Sequence, residues 1–150
     1  MSRVATVALA LALGVAAFGG CGDTEDERLA RPGTSVPASG AIELTIAYDD
    51  GAGTKTTGSL TCRGGEQRAS GALAAPGRAS AATLCARARA IDELLKTQPD
   101  KGRVCTQIYG GPETARVTGT IDGVKVDRRF ARTNGCEIAD FSRAAGLLQP

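Results

Sequence analysis

Histidine is absent from this chain of 150 residues, tryptophan is absent too, and the aromatic residues amount to two Tyr and three Phe. Without histidine the commonest general base and the commonest neutral metal ligand are missing. No Ser-Lys or paired-carboxylate motif takes their place. The glycine pairs Gly64-Gly65 and Gly110-Gly111 lack the Lys-Ser/Thr that follows a phosphate-binding loop, and they read as turns. Asp49-Asp50 lacks the alternating ligands of a calcium loop and also reads as a turn. The expectation is a protein that is not an enzyme and holds neither metal nor cofactor. A formal net charge of +2 with interspersed signs gives no phosphate-binding surface, so nucleic acid is not expected as a partner.

The first residues have another purpose. Arg3 supplies a basic start, Val4 to Phe18 is almost unbroken Ala, Leu and Val, and Gly19-Gly20 precede Cys21. That is the layout of an export signal over residues 1–20, with an apolar stretch too short for a comfortable membrane span. Small residues directly before a cysteine resemble a bacterial lipobox, which implies cleavage there, lipid on Cys21 and attachment to a membrane. An ordinary secretory signal is the alternative. Residues 22–40 carry Asp23, Glu25, Asp26 and Glu27, then Pro32, Gly33, Ser35, Pro37 and Ser39, with little to bury, so 21–40 reads as a lipidated cysteine and flexible tether. The expected location is extracytoplasmic, either anchored or secreted.

Residues 41–150 have the size of one domain. With so few aromatics, its core must come from Val, Ile, Leu and Ala, and a domain this small is marginal without cross-links. Cys62, Cys85, Cys105 and Cys136 can supply two. In an exported chain, without Cys-x-x-Cys spacing, they point to disulfides and leave three connectivities open.

The pattern of side chains gives the elements. Ile42, Leu44, Ile46 and Tyr48 alternate with Glu43, Thr45 and Ala47, which marks a half-buried strand. Asp49 to Gly53 is a turn run, and Thr54 to Cys62 is the returning strand. Arg63 to Arg78 shows no pattern and reads as a loop. Ser80 can cap a helix in which Leu84, Ala88, Ile91 and Leu95 form one face, ending before Gln98-Pro99-Asp100. Asp122-Gly123 between the alternating runs ending in Ile121 and beginning at Val124 signals a hairpin. Ile138 to Leu148 suits a short terminal helix. The class is α+β, with an antiparallel sheet covered on one side.

The cysteines then frame one short run, Val104-Cys105-Thr106-Gln107-Ile108-Tyr109, with Asn134-Gly135-Cys136 further along. Leu60-Thr61-Cys62, Ala75-Pro76-Gly77, Cys85, Cys105-Thr-Gln-Ile-Tyr109 and Asn134-Gly135-Cys136-Glu137 together resemble the bacterial subtilisin-inhibitor family over about residues 42–145. The resemblance implies Cys62–Cys85 and Cys105–Cys136 pairing and a five-stranded antiparallel sheet packed with one long and one short helix. It also implies inhibition of a serine protease, of subtilisin type, that attacks the Gln107–Ile108 bond. Gln107 would enter the primary pocket and Val104 a secondary apolar one, with Cys105 and Thr106 alongside the enzyme's substrate-binding strand. A sheet-to-sheet homodimer is implied as well. Thr106 stands where the family often carries Pro. Asn134 either stiffens the loop through its amide or only makes a turn with Gly135, and Tyr109 either braces the loop or, as expected of an aromatic, packs on the sheet. The rival readings are a surface lipoprotein binding module on the same scaffold without inhibitory activity, and a purely structural envelope protein.

Overall fold

The computed structural model describes residues 40–149. The export signal, Cys21 and nearly all of the tether lie outside the described residues. The domain is a five-stranded antiparallel sheet with helices on one face and two disulfides, Cys62–Cys85 and Cys105–Cys136.

Strand β1 (Ile42–Asp49) runs through the centre of the sheet. Its alternation works as read: Ile42, Leu44 and Ile46 are buried while Glu43, Thr45 and Ala47 face out. The turn after it is closed by its own acids, because Asp49 accepts from the Gly51 N–H and Asp50 accepts from those of Ala52 and Thr54. These bonds favour the charged carboxylates, so both aspartates sit below the usual carboxylate range. Strand β2 (Lys55–Arg63) returns beside β1 with Leu60 opposite Leu44.

The segment expected to be a loop contains a further strand, β3 (Glu66–Gly71), and a 3-10 turn over Ala72–Ala74. Gly64 and Gly65 both take positive φ and turn the chain back, so that Ala69 pairs with Leu60 at the sheet edge. Only Ala69 of this strand is even half-buried, which is why no alternation marks it.

Ser80 caps α1 (Ala81–Ala90) as expected, its Oγ accepting from the Thr83 N–H at 3.2 Å. The helix does not continue to Lys96. Ile91 leaves helical geometry at φ −117°, and a second helix, α2 (Asp92–Lys96), follows. The break re-aims the chain: α1 packs on β2 and β3, whereas α2 packs on β5 and β4. Strands β4 (Thr114–Ile121) and β5 (Val124–Phe130) form the expected hairpin, with positive φ at Asp122 and Gly123. Helix α3 (Gly135–Leu148) begins three residues before the expected start and completes the covering layer.

The core lies between the sheet and this layer. Ile42, Leu60, Val117, Ile121 and Val126 meet Leu84, Ala88, Leu95, Phe141 and Leu147, all essentially inaccessible to water. Burying each large aliphatic side chain contributes about 1.5–3 kcal/mol, and the interior disulfide Cys62–Cys85 ties β2 to α1 within it.

Candidate functional site

The stretch from Arg103 to Glu113 has no regular structure, yet it is fixed at both ends. Its middle is open to solvent. Val104 is 97% exposed, Ile108 56% and Tyr109 68%, an unusual display of large apolar side chains beside a well-buried core. Tyr109 therefore neither packs on the sheet, as expected of it, nor braces the loop from beneath. Thr106 and Gln107 are exposed as well.

The entry is held in three ways. Cys105 is bonded to Cys136 in the first turn of α3, with their Cα atoms 5.4 Å apart. The Thr106 carbonyl accepts from the Gly135 N–H at 2.9 Å. Arg103 Nη2 donates to Asp140 Oδ2 at 3.1 Å. The same carboxylate oxygen accepts from Arg128 Nη2 at 3.0 Å. Arg128 is buried on β5, and its other nitrogens donate to the Leu94 and Arg129 carbonyls. Burial pushes the Arg128 guanidinium down, and the charge of Asp140 opposes that. One interior ion pair thus carries the loop's first residue outward from the sheet.

The exit is held by different groups. The Gly110 N–H donates to the Arg132 carbonyl at 2.7 Å. A β-carbon at Gly110 would lie 2.7 Å from the Ile138 side chain, so this glycine seats directly on α3. Arg132 Nη1 donates to Glu113 Oε1 at 2.7 Å, and its guanidinium stands 5.7 Å from the centre of the Phe141 ring. Pro112 rests against Gly51 in the first turn of the sheet.

Between Thr106 and Gly110 the backbone has no hydrogen bond to the rest of the domain among the described residues. The one polar contact there is internal: Gln107 Nε2 donates to the Cys105 carbonyl at 3.3 Å. The geometry is a short bridge with fixed abutments and an accessible span.

Asn134 lies next to the loop but acts differently from either reading. Its Oδ1 accepts from the Glu137 N–H at 3.0 Å, capping α3, while Glu137 reaches back to the Thr133 N–H at 3.3 Å. The bond to the loop comes from the neighbouring Gly135 backbone, whose Cα faces the Thr106 hydroxyl at a spacing that leaves no room for a β-carbon. Sequence reading missed Gly135, Arg132, Arg103 and Asp140 as supports. The Arg-rich run Arg128, Arg129 and Arg132 was the visible hint.

No family model matches the chain, and no curated relative does. Among solved structures the chain is similar to Streptomyces caespitosus sermetstatin in complex with Bacillus licheniformis subtilisin. The TM-score is 0.41 and the identity 21%, over 74% of this chain and 100% of that one.

Proposed function

We propose that this protein is an extracytoplasmic serine protease inhibitor that offers Val104–Tyr109 as a rigid, substrate-like peptide with Gln107–Ile108 as the scissile bond. One observation carries the reading: the exposed span is pinned on both sides of that bond, by Cys105–Cys136 and the Thr106 carbonyl before it and by the Gly110 N–H after it. An extended peptide adds to a protease as an extra strand, so its backbone supplies affinity and its side chains supply selectivity. A flexible peptide loses much of that energy to ordering. Here the ordering is completed in folding.

The pinned exit matters for the chemistry. When the protease serine attacks the Gln107 carbonyl carbon, the bond to Ile108 breaks and the new amine stays beside the acyl-enzyme. Two residues on, Gly110 remains bonded to Arg132, and the chain continues into β4. Attack of that amine on the ester restores the peptide and releases the serine, and high effective concentration favours this over hydrolysis. Docking also exchanges the Gln107–Cys105 side-chain bond for contacts with the enzyme.

Disulfides persist outside the cytoplasm, in keeping with residues 1–20 as an export signal and residues 21–40 as a lipidated Cys21 and tether ahead of the domain. The test is titration of subtilisin with the exported chain, beside Gln107→Lys. Stoichiometric inhibition of subtilisin, with trypsin inhibition gained by the variant, supports the reading. Rapid and complete hydrolysis after Gln107 overturns it.

A further inference from the structure

The two ends of α3 carry different chemistry. Its first turn holds the exposed loop through Gly135 and Cys136. Its last turn is gripped by two guanidinium groups: Arg78 Nη2 donates to the Leu147 carbonyl at 3.2 Å, and Arg87 Nη1 donates to the Gly146 carbonyl at 2.8 Å. Both answer the unpaired carbonyls and partial negative charge of a helix C-terminus. Two full charges exceed a partial charge of about one half, so the end of the domain stays positive. Burial lowers the Arg78 pKa first, and the nearby charge of Arg87 lowers it further.

Arg143 on α3 adds a third charge. Among the described residues, Arg63, Arg68, Arg89, Arg103, Arg116, Arg128 and Arg132 each have a carboxylate partner. Arg78, Arg87, Arg129 and Arg143 have none among those residues, and of these Arg129 stands on β5, not on α1 or α3. Arg87 and Arg143 rim a cleft between α1 and α3 that is floored by Ala90, Ile91, Ala144 and Leu147, and no acidic side chain lines it. The surface around them is low, because the other exposed residues of α1 and the second half of α3 are small: Ala82, Thr83, Ala86, Ala90, Ser142 and Gly146. The arginine heads are the tallest features of this face.

The geometry points to this face as the one that lies on an anionic bilayer, with the loop directed away from it. Charge complementarity favours a planar sheet of phosphate headgroups, which can meet both rim arginines at once, while the half-buried Arg78 adds its charge nearby. The residues that precede Gly40 include the apolar run Val4–Phe18 and Cys21, so the inference rests on the membrane attachment proposed above and not on inhibition. From Gly146 to Cys136 is ten helical residues, a rise of about 15 Å. Helix α3 is then a strut that lifts the loop clear of the membrane.

The test uses residues 21–150 with Cys21→Ser, so that neither the export signal nor an acyl chain contributes, and phosphatidylglycerol/phosphatidylcholine vesicles beside phosphatidylcholine alone. The expected result is stronger sedimentation with anionic vesicles. That preference is lost at high salt and falls about tenfold or more in Arg87→Gln/Arg143→Gln. Arg143→Gln alone, at a residue with no hydrogen bond to the fold among those described, gives a smaller fall and guards against a folding defect. Equal binding to both vesicle types, or unchanged binding by the variants, overturns the inference. So does displacement by millimolar inorganic phosphate at matched ionic strength, which would assign the cleft to small anions. Titration of subtilisin by the double variant stays at the parent's level, so the two proposals can fail separately.

Discussion

The Gly135 N–H donates to the Thr106 carbonyl, and the Gly135 Cα faces the Thr106 hydroxyl with no space for a β-carbon between them. The contact lies one residue before the proposed scissile residue and one before the cysteine that anchors the loop. In Gly135→Ala the new methyl meets Thr106 Oγ1, and the loop must shift to admit it. A displacement of about 1 Å in a bound reacting group can cost on the order of a hundredfold, so subtilisin inhibition should weaken by tenfold to about a hundredfold. Thr106→Ala removes the obstructing oxygen. The double variant Gly135→Ala/Thr106→Ala should recover most of the loss, and a double-mutant cycle on inhibition constants measures that coupling. Additive losses would show that the two residues do not act together.

Asp140 holds two arginines of different standing. Arg128 and Asp140 are both buried, whereas Arg103 is partly exposed. Asp140→Ala leaves an uncompensated guanidinium inside the fold and should destabilise the domain by about 3 kcal/mol in urea unfolding. Arg103→Ala breaks only the outer contact and should change stability by less than about 1 kcal/mol. The second variant is the informative one for function. With the fold intact but the entry of the loop released, subtilisin should cleave it measurably faster than the parent.

The parts of this fold that were legible in the sequence are those where a side chain reports its own surroundings. The alternation of Ile42, Leu44 and Ile46, the Asp122-Gly123 turn and the Ser80 cap each express a local rule, and each is present. Strand β3 had no such marker. It is an edge strand paired through its backbone, and the Gly64-Gly65 turn that sets its register was the only trace. The helix break at Ile91 was hidden for the opposite reason: Leu84, Ala88, Ile91 and Leu95 still fall at helical spacing, although the helix bends between two halves of the sheet. The loop itself was visible as a run framed by cysteines. Its supports were not, since the Gly135 N–H and the Arg132 carbonyl are backbone groups that any residue carries. Arg103, Arg128 and Asp140 meet across 12 and 37 positions, and no local pattern links them.

Asn134 caps α3 and has no side-chain hydrogen bond to the loop among the described residues. Asn134→Ala removes the acceptor for the Glu137 N–H and should lower stability by about 1 kcal/mol. Asn134→Asp keeps an acceptor and places negative charge at the helix N-terminus, so it should match or exceed the parent. Thermal unfolding of the three proteins checks the order. Inhibition should follow stability across this series. A loss of inhibition by Asn134→Asp without a loss of stability would instead argue for a direct role of the amide in the loop.

Asp122 links the hairpin to α1 and to the start of the domain, accepting from Arg89 Nη1 at 2.5 Å and from the Gly40 N–H at 2.8 Å. The hydrogen bond from Arg89 is the main cause that holds its pKa below the ordinary value of about 3.9, and the Gly40 N–H and the Arg89 charge act in the same direction. A carboxylate depressed in the folded state contributes stability that is present above the unfolded pKa. That contribution is lost as pH falls through the folded value. Asp127, held down chiefly by Arg116, titrates in the same sense, as do Asp49 and Asp50. The urea midpoint should therefore be flat from pH 7 to about 5 and drop steadily below about 4. In Asp122→Asn the midpoint should start lower at pH 7 and fall less steeply toward pH 2, because one of the titrating groups is gone. Parallel curves for parent and variant would mean that Asp122 does not contribute to the acid sensitivity.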